Sequence, residues 1–484
     1  MDFRAERALL AIRFGEYGLA APDLSAADAP SAGRYAPLAE ARAVVEAVPP
    51  DAGALYQEYV VDAVIDRAPG ASYAPRPGHV LTILEALAPG GTERQAVSVV
   101  EALSRDGRVT SQLLLVERNE PEPNAFFLPR VERAGLPVRV FGGEAADVDA
   151  VAAALGDAAL APLLRSLPAA MREAVCRLVP IIRSERPAAV HVRRDFTAAA
   201  LACRLAGVPR VVLGRGVLAP TGWNATRPQR LRTIRPMRQL YRRLLEGPGF
   251  TLVNNSAAGV ASDREWLDDQ VSAGFRVVPN TLDLGELGRD EADGASARAA
   301  SGVPADALLI GGAFRLHRSK RPTLWLRAAR LILDARPDAF FLIIGEGEER
   351  GAVERLTDEL RLTERLRLPG AVAEVGRHYR TMDLALLVSE REGLPNMLIE
   401  AQHFGVPVVS TDVCGARETM EPGTTGRLVP ADADARAIAD AVLACVGDPA
   451  WMGAARARAP ALARDRFGAG RGVDALVELY GLPR

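Results

Sequence analysis

Short apolar runs recur between residues 78 and 410, and a stretch patterned for a helix separates most of them. Val80–Leu84, Gln112–Val116, Val138–Phe141, Ala189–Val192 and Val211–Leu213 read as one set of strands. A second unit starts near Phe275, with strands at Val277–Val278, Leu308–Gly311, Phe340–Ile344, Leu384–Val388 and Val408–Val409. Runs this short and this apolar suit strands buried on both faces of a parallel sheet. The punctuation also repeats, at Gly135-Leu136-Pro137, Gly207-Val208-Pro209 and Gly405-Val406-Pro407. Glycine closes a helix, proline bars its continuation, and a strand follows. Strands that alternate with helices predict parallel sheets covered by helices. A chain of 484 residues exceeds one ordinary core. The expected fold class is therefore α/β, with two Rossmann-like parallel-sheet domains facing a cleft, at residues 77–270 and 271–450. Residues 1–76, rich in alanine, proline and acids, read as a mainly helical or partly disordered extension with helices at Ala41–Val48 and Ala54–Arg67. Residues 451–484 read as closing helices.

One decapeptide carries candidate chemistry. In Glu392-Gly393-Leu394-Pro395-Asn396-Met397-Leu398-Ile399-Glu400-Ala401 two carboxylates bracket a turn and the start of a helix. Pro395 suits the first helical position, where its missing N–H costs nothing. The free N–H groups of that helix end can hold a phosphate. The acids cannot, but they can accept hydrogen bonds from sugar hydroxyls. Such a site suits a ligand that is part phosphate and part carbohydrate.

These residues resemble the retaining glycosyltransferases of family 4, which have the GT-B fold. The hallmark is a glutamate, seven residues and a second glutamate, here Glu392 and Glu400 with Gly393 and Pro395 between them. Gly405-Val406-Pro407, Gly415, Glu418 and Gly426 fit the same pattern. The resemblance covers roughly residues 78–470 and implies a sugar moved from a nucleoside diphosphate to a hydroxyl of a glycan or lipid-linked acceptor, as in cell-surface polysaccharide synthesis. It implies that Arg315 and Lys320 grip the donor diphosphate, Glu392 positions the donor sugar, and Glu400 anchors the ribose or nearby hydroxyls. Gly393, Leu394, Pro395 and Asn396 complete the donor side, with Gly345 of Gly345-Glu346-Gly347 near the nucleoside and Leu368 beside the base. Gly90, Gly91, His191 and Arg215 belong to the acceptor or cleft side, and Pro279-Asn280 reads as a structural element near the hinge. The implied chemistry is front-face attack, in which the leaving phosphate takes the acceptor's proton. The last helices are expected to cross back to the first domain, as the family's do. Two departures stand out: Arg215 occupies the place of a histidine that touches the transferring sugar, and Arg193 replaces the second histidine of a His-x-His pattern. A nucleotide-sugar epimerase of the same fold and a non-catalytic nucleotide-sugar-binding scaffold are the alternatives.

Composition sharpens the picture in three places. Of 59 basic residues only one is lysine, Lys320. A lysine is a compact point charge where arginine is a broad planar fork, and a tight phosphate pocket can require the former. The formal charge of −2 gives no field for nucleic acid. Residues 227–243 hold seven arginines and no acid, which suits either a solvated helix face or a docking surface for an anionic membrane. No metal is expected and no cofactor beyond the donor itself: Asp147-Val148-Asp149 and Asp432-Ala433-Asp434 lie where helices begin, where acids favour the helix dipole. Cys176, Cys203, Cys414 and Cys445 lack metal-ligand spacing and read as reduced cytoplasmic thiols. The first residues do not read as a signal peptide. No apolar run approaches the roughly 20 residues of a membrane span, so the expected location is the cytoplasm, peripheral on the inner face of the membrane at most.

Overall fold

The computed structural model describes residues 56–67, 72–88, 90–117, 125–194, 196–216, 218–219, 228–267, 271, 274–287, 298–299, 302–372 and 374–482. The helix expected at Ala41–Val48 and the first of the seven arginines, Arg227, lie outside the described residues.

Among the described residues thirteen strands form two sheets. The first has seven: β1 Arg76–Leu84, β2 Ser111–Val116, β3 Val138–Val140, β4 Pro187–Arg193, β5 Val211–Gly214, β6 Phe250–Asn254 and β7 Phe275–Val277. Their order is β3-β2-β1-β4-β5-β6-β7. The second has six: β8 Leu308–Ala313, β9 Ala339–Ile344, β10 Leu366–Gly370, β11 Leu384–Leu387, β12 Val408–Thr411 and β13 Gly426–Val429, in the order β10-β9-β8-β11-β12-β13. Every named pairing is parallel. The strand order reverses between β1 and β4 and again between β8 and β11. In open α/β sheets ligands bind at such reversals, outside the carboxyl ends of the strands.

One boundary moves. Phe275–Val277, expected to open the second unit, pairs with β6 and closes the first sheet. A three-residue strand ending in exposed Val277 carries no mark of which sheet it joins. The link to the second domain follows it, and Leu282 and Leu284 pack there with Leu394, Ile399, Ala463 and Phe467.

The ends of the described chain tie the domains together. The helix Tyr56–Asp66 lies on the first domain, with Val60, Val61, Val64 and Ile65 in its main core. The helix Pro449–Phe467 packs on the helix Asn396–His403 of the second domain. The last helix, Ala469–Leu479, crosses to the first domain and buries Val473, Leu476 and Val477 beside Val80, Val99 and Leu103. Each such side chain contributes about 1.5–3 kcal/mol when fully buried. Among the described residues no single helix is long and apolar enough to cross a membrane.

Candidate functional site

The two reversals face each other across a cleft of about 1080 Å³ lined by both domains. On the second domain β8 ends at Ala313, and Arg315 stands exposed in the cleft with no ion pair among the described residues. A short turn, Arg318–Lys320, follows; its cap is His317, whose Nδ1 accepts the Ser319 N–H at 3.1 Å. Arg321 then takes a left-handed backbone at φ 49°, a conformation that costs a non-glycine residue roughly 1–2 kcal/mol. Its guanidinium donates to the carbonyls of Val388 (2.6 Å), Ser389 (3.0 Å) and Ala431 (3.1 Å). That clamp fixes the turn against the end of β11. Nothing in the sequence pattern distinguished Arg321 from its neighbours.

The clamp brings Lys320 to Glu392. Lys320 Nζ donates to Glu392 Oε1, which also accepts the Ser389 hydroxyl at 2.6 Å. Glu392 is nearly enclosed while Lys320 remains partly open to the cleft. The helix Asn396–His403 starts beside them with no side-chain cap; the Leu398 N–H donates to the Pro395 carbonyl at 3.1 Å, which leaves the N–H groups of Asn396 and Met397 for a ligand. Pro395 sits one position earlier than expected: it is the cap residue, in extended conformation, rather than the first helical residue.

Glu400 differs more. It is 2% exposed, and both its oxygens are engaged. Oε1 accepts from Arg94 of the first domain and Oε2 from the Tyr379 hydroxyl at 3.0 Å. Its contact is thus a cross-cleft ion pair, and a sugar hydroxyl would have to displace one partner. Arg94 immediately follows the Gly90-Gly91-Thr92-Glu93 turn, and only the fold reveals its reach.

The domain seam uses the rest of the decapeptide. Asn255 donates to Asn280 (3.1 Å), and Asn280 donates to the Leu394 carbonyl (3.0 Å) and to Asn396 (2.6 Å). The Pro279-Asn280 pair is structural here. A Cβ on Gly393 would stand 2.4 Å from the Gly216 carbonyl. Glu418 crosses the seam and accepts the N–H groups of Ala257 (2.7 Å) and Ala258 (2.9 Å), capping the helix Ala257–Trp266.

Four of the expected residues are held by the protein's own contacts, and three of them, Arg215, His191 and Gly345, line the cleft. Arg215 does not present its charge to the cleft: its side chain is fully buried, pairs with Asp263 at 3.0 Å and lies over the Trp266 ring at 5.0 Å. His191 is 1% exposed, its Nδ1 bonded to the Tyr480 hydroxyl at 2.8 Å. Burial, helped by Arg193, holds it well below the usual imidazole range and hence neutral. Leu368 lies within β10, its carbonyl accepting from Arg350 at 3.3 Å, and Ala371 and Val372 line the cleft in its stead. Gly345 does line the cleft, but its freedom serves the protein's own backbone: at φ 139° its Cβ position lies 2.1 Å from the Phe314 carbonyl. Gly90 and Gly91 also line the cleft. Gly91 opens the helix Gly91–Ser104, and nothing lies within 4 Å of its Cβ position.

The acidic pairs act as caps. Asp147 accepts the N–H groups of Asp149 and Ala150, Asp149 pairs with Arg165, and Asp434 accepts the Ala437 N–H. Among the described residues no three His, Cys, Asp or Glu side chains are grouped to hold a metal ion.

Residues 306–448, within the second domain and less than half of the chain, match the family model described as Glycosyl transferases group 1. The Vi polysaccharide biosynthesis protein VipC/TviE of Salmonella typhi is 32% identical over 269 residues, 54% of this chain and 45% of that protein. A D-inositol 3-phosphate glycosyltransferase of Corynebacterium urealyticum is 31% identical over 240 residues, 47% of this chain and 56% of that protein. The chain spans about half the length of these relatives. Anabaena HepE, solved in complex with UDP-glucose, superposes with a TM-score of 0.64 at 19% identity, covering 83% of this chain and 99% of HepE. Sucrose-phosphate synthase from Thermosynechococcus elongatus gives 0.61 at 18% identity, covering 83% of this chain and 98% of that one. The fold is GT-B.

Proposed function

We propose that this chain is a retaining glycosyltransferase that moves a sugar from a nucleoside-diphosphate sugar to a hydroxyl of a glycan or lipid-linked acceptor. The observation that carries the reading is the convergence of Arg315, Lys320, Glu392 and an uncapped helix end at the β8–β11 reversal. Arg315 and Lys320 hold the diphosphate, and the helix Asn396–His403 adds its N–H groups. Fixed cations at that point stabilise the charge that grows on the leaving phosphate. Glu392, oriented by Ser389 and Lys320, positions the donor sugar. Glu400 takes hydroxyls of the donor once Arg94 releases it. The bond from the anomeric carbon to the phosphate oxygen breaks as the acceptor oxygen bonds the same face of that carbon. The acceptor's proton passes to the phosphate.

In this reading cationic side chains do the work of a metal. The donor to test first is UDP-glucose, the ligand of HepE. The relatives are named for a polysaccharide and for an inositol phosphate, which supports a hydroxylated acceptor. An anionic membrane surface is the proposed partner of the arginine-rich segment, in a protein that works in the cytoplasm. Arg243 is committed elsewhere, to Asp62 at 3.0 Å and to Asp66, so the docking charge must come from other arginines.

Calorimetry with UDP on the wild type and on Lys320→Ala tests the site. Loss of one charge-assisted phosphate contact typically costs about 1.5–3 kcal/mol, roughly a tenfold to hundredfold weaker affinity. Equal affinity would remove Lys320 from the donor site.

A further inference from the structure

The first domain has its own reversal, between β1 and β4, and the residues there are unusual. Arg193 ends β4 and lines the cleft. Its Nε and Nη2 are enclosed by protein and have no hydrogen-bond partner, and no carboxylate lies within ion-pair distance of it among the described residues. Its Nη1 lies 3.3 Å from His191 Nε2. Since His191 is neutral, that nitrogen can accept from Arg193 while Nδ1–H donates to Tyr480. The crossing end of the chain therefore holds His191, and His191 holds Arg193. Gly214 keeps the arrangement possible, because a Cβ there would stand 2.6 Å from His191 Nε2.

An enclosed charge with no direct ion-pair partner is costly, and Glu93 acts on Arg193 only at a distance. The protein supplies the neighbouring acids with other partners. Glu93 pairs with Arg194 at 3.0 Å, and Glu101 pairs with Arg130 at 2.6 Å. Beside Arg193 the helix Gly91–Ser104 begins at extended Gly90 with no side-chain cap hydrogen bond, and the space over Gly91 is open. Phe126, also of the first domain, is 53% exposed and lines the cleft. Its exposed ring, set edge to face with Phe127, offers apolar surface to a sugar ring.

We propose that the acceptor is anionic, and that Arg193 binds its phosphate or carboxylate group at the β1–β4 reversal. Only the word acceptor rests on the sugar-transfer reading; the anion site stands on the first domain alone. Burial pulls the Arg193 guanidinium down to about 10, so it is cationic at neutral pH and ready to meet an anion.

The test is titration of inorganic phosphate, and separately of glucuronate, into the full chain, without UDP and at saturating UDP. At least one of the two anions should bind the wild type with UDP present. Arg193→Gln should weaken that binding by about tenfold or more, the loss of a charge-assisted contact, while its affinity for UDP stays unchanged. Arg193→Lys should bind weakly, since it keeps the charge and loses the fork. If the Gln variant does not fold, the Lys variant decides: a normal melting temperature with full anion affinity would overturn the proposal. So would anions bound equally by all variants, or displaced wholly by UDP, which would assign the site to the donor. Failure of UDP to bind at all would sink the sugar-transfer reading and leave the UDP-free titration to judge the anion site.

Discussion

Arg215 stands where the family resemblance expects a histidine that touches sugar, yet its charge points away from the cleft into the Asp263 and Trp266 pocket. A position in a motif told the backbone location and not the side-chain direction. Breaking a buried pair by removing one member typically costs about 3–5 kcal/mol. Arg215→Ala should therefore lower the melting temperature strongly, and activity only in proportion to the folded fraction. An unchanged melting temperature with lost activity would return Arg215 to the site. Gly91 is the opposite case. Its Cβ position meets no atom within 4 Å, and a side chain there would enter the cleft. Gly91→Val should leave thermal stability nearly unchanged and weaken binding of whichever ligand crosses that wall. Full activity in this variant would show that no ligand passes near Gly91.

At the scale of elements, strands with an uninterrupted apolar stretch were legible and several strands broken by charge, proline or asparagine were not. β8, β9 and β11 follow apolar runs that are wholly or nearly wholly buried, and β12 opens with one, Val408-Val409, before buried Ser410 and Thr411. β10 carries Arg367 and Pro369, and β13 carries Arg427, so neither shows the continuous run of a buried parallel strand. β6 ends in Asn254, a polar residue that the fold satisfies through Asp263 at 2.9 Å. The site divides in the same way. Arg315, Lys320 and Glu392 were legible because the motif places each just past a strand end. The Arg94–Glu400 pair spans 306 positions and the His191–Tyr480 contact 289, and no local pattern encodes either. The loop after β9 gives a prediction at this scale. Gly345 combines φ 139° with a carbonyl 2.1 Å from its Cβ position. Gly345→Ala should destabilise the second domain by more than about 1 kcal/mol. A melting temperature equal to wild type would refute that packing.

Across the whole molecule, protons and domain contacts couple to stability. Burial holds His79, His191, His378 and His403 below the usual imidazole value of 6.5. The unfolded chain binds protons at these groups below about pH 6.5, while the folded chain resists doing so. Their neutral forms thus favour folding above that pH, and the advantage shrinks on acidification through it. Each group contributes at most about 1.4 kcal/mol per pH unit. The melting temperature should fall between pH 7 and 5.5, before carboxylates titrate, and a flat profile over that range would contradict the buried histidines.

The Arg94–Glu400 pair sets the second expectation at this scale. If the donor must displace Arg94, Arg94→Ala should tighten nucleoside-diphosphate binding, and calorimetry that finds weaker binding would make Arg94 part of the donor site instead. Sugar transfer is the claim on which the rest depends, and product analysis by NMR tests it most directly. The full chain is incubated with UDP-glucose in EDTA, with and without candidate hydroxylated acceptors. The account predicts release of UDP and a product that keeps the donor's anomeric configuration; an epimerised sugar without transfer, no turnover of any nucleotide sugar, or turnover that appears only when magnesium or manganese is restored would contradict it.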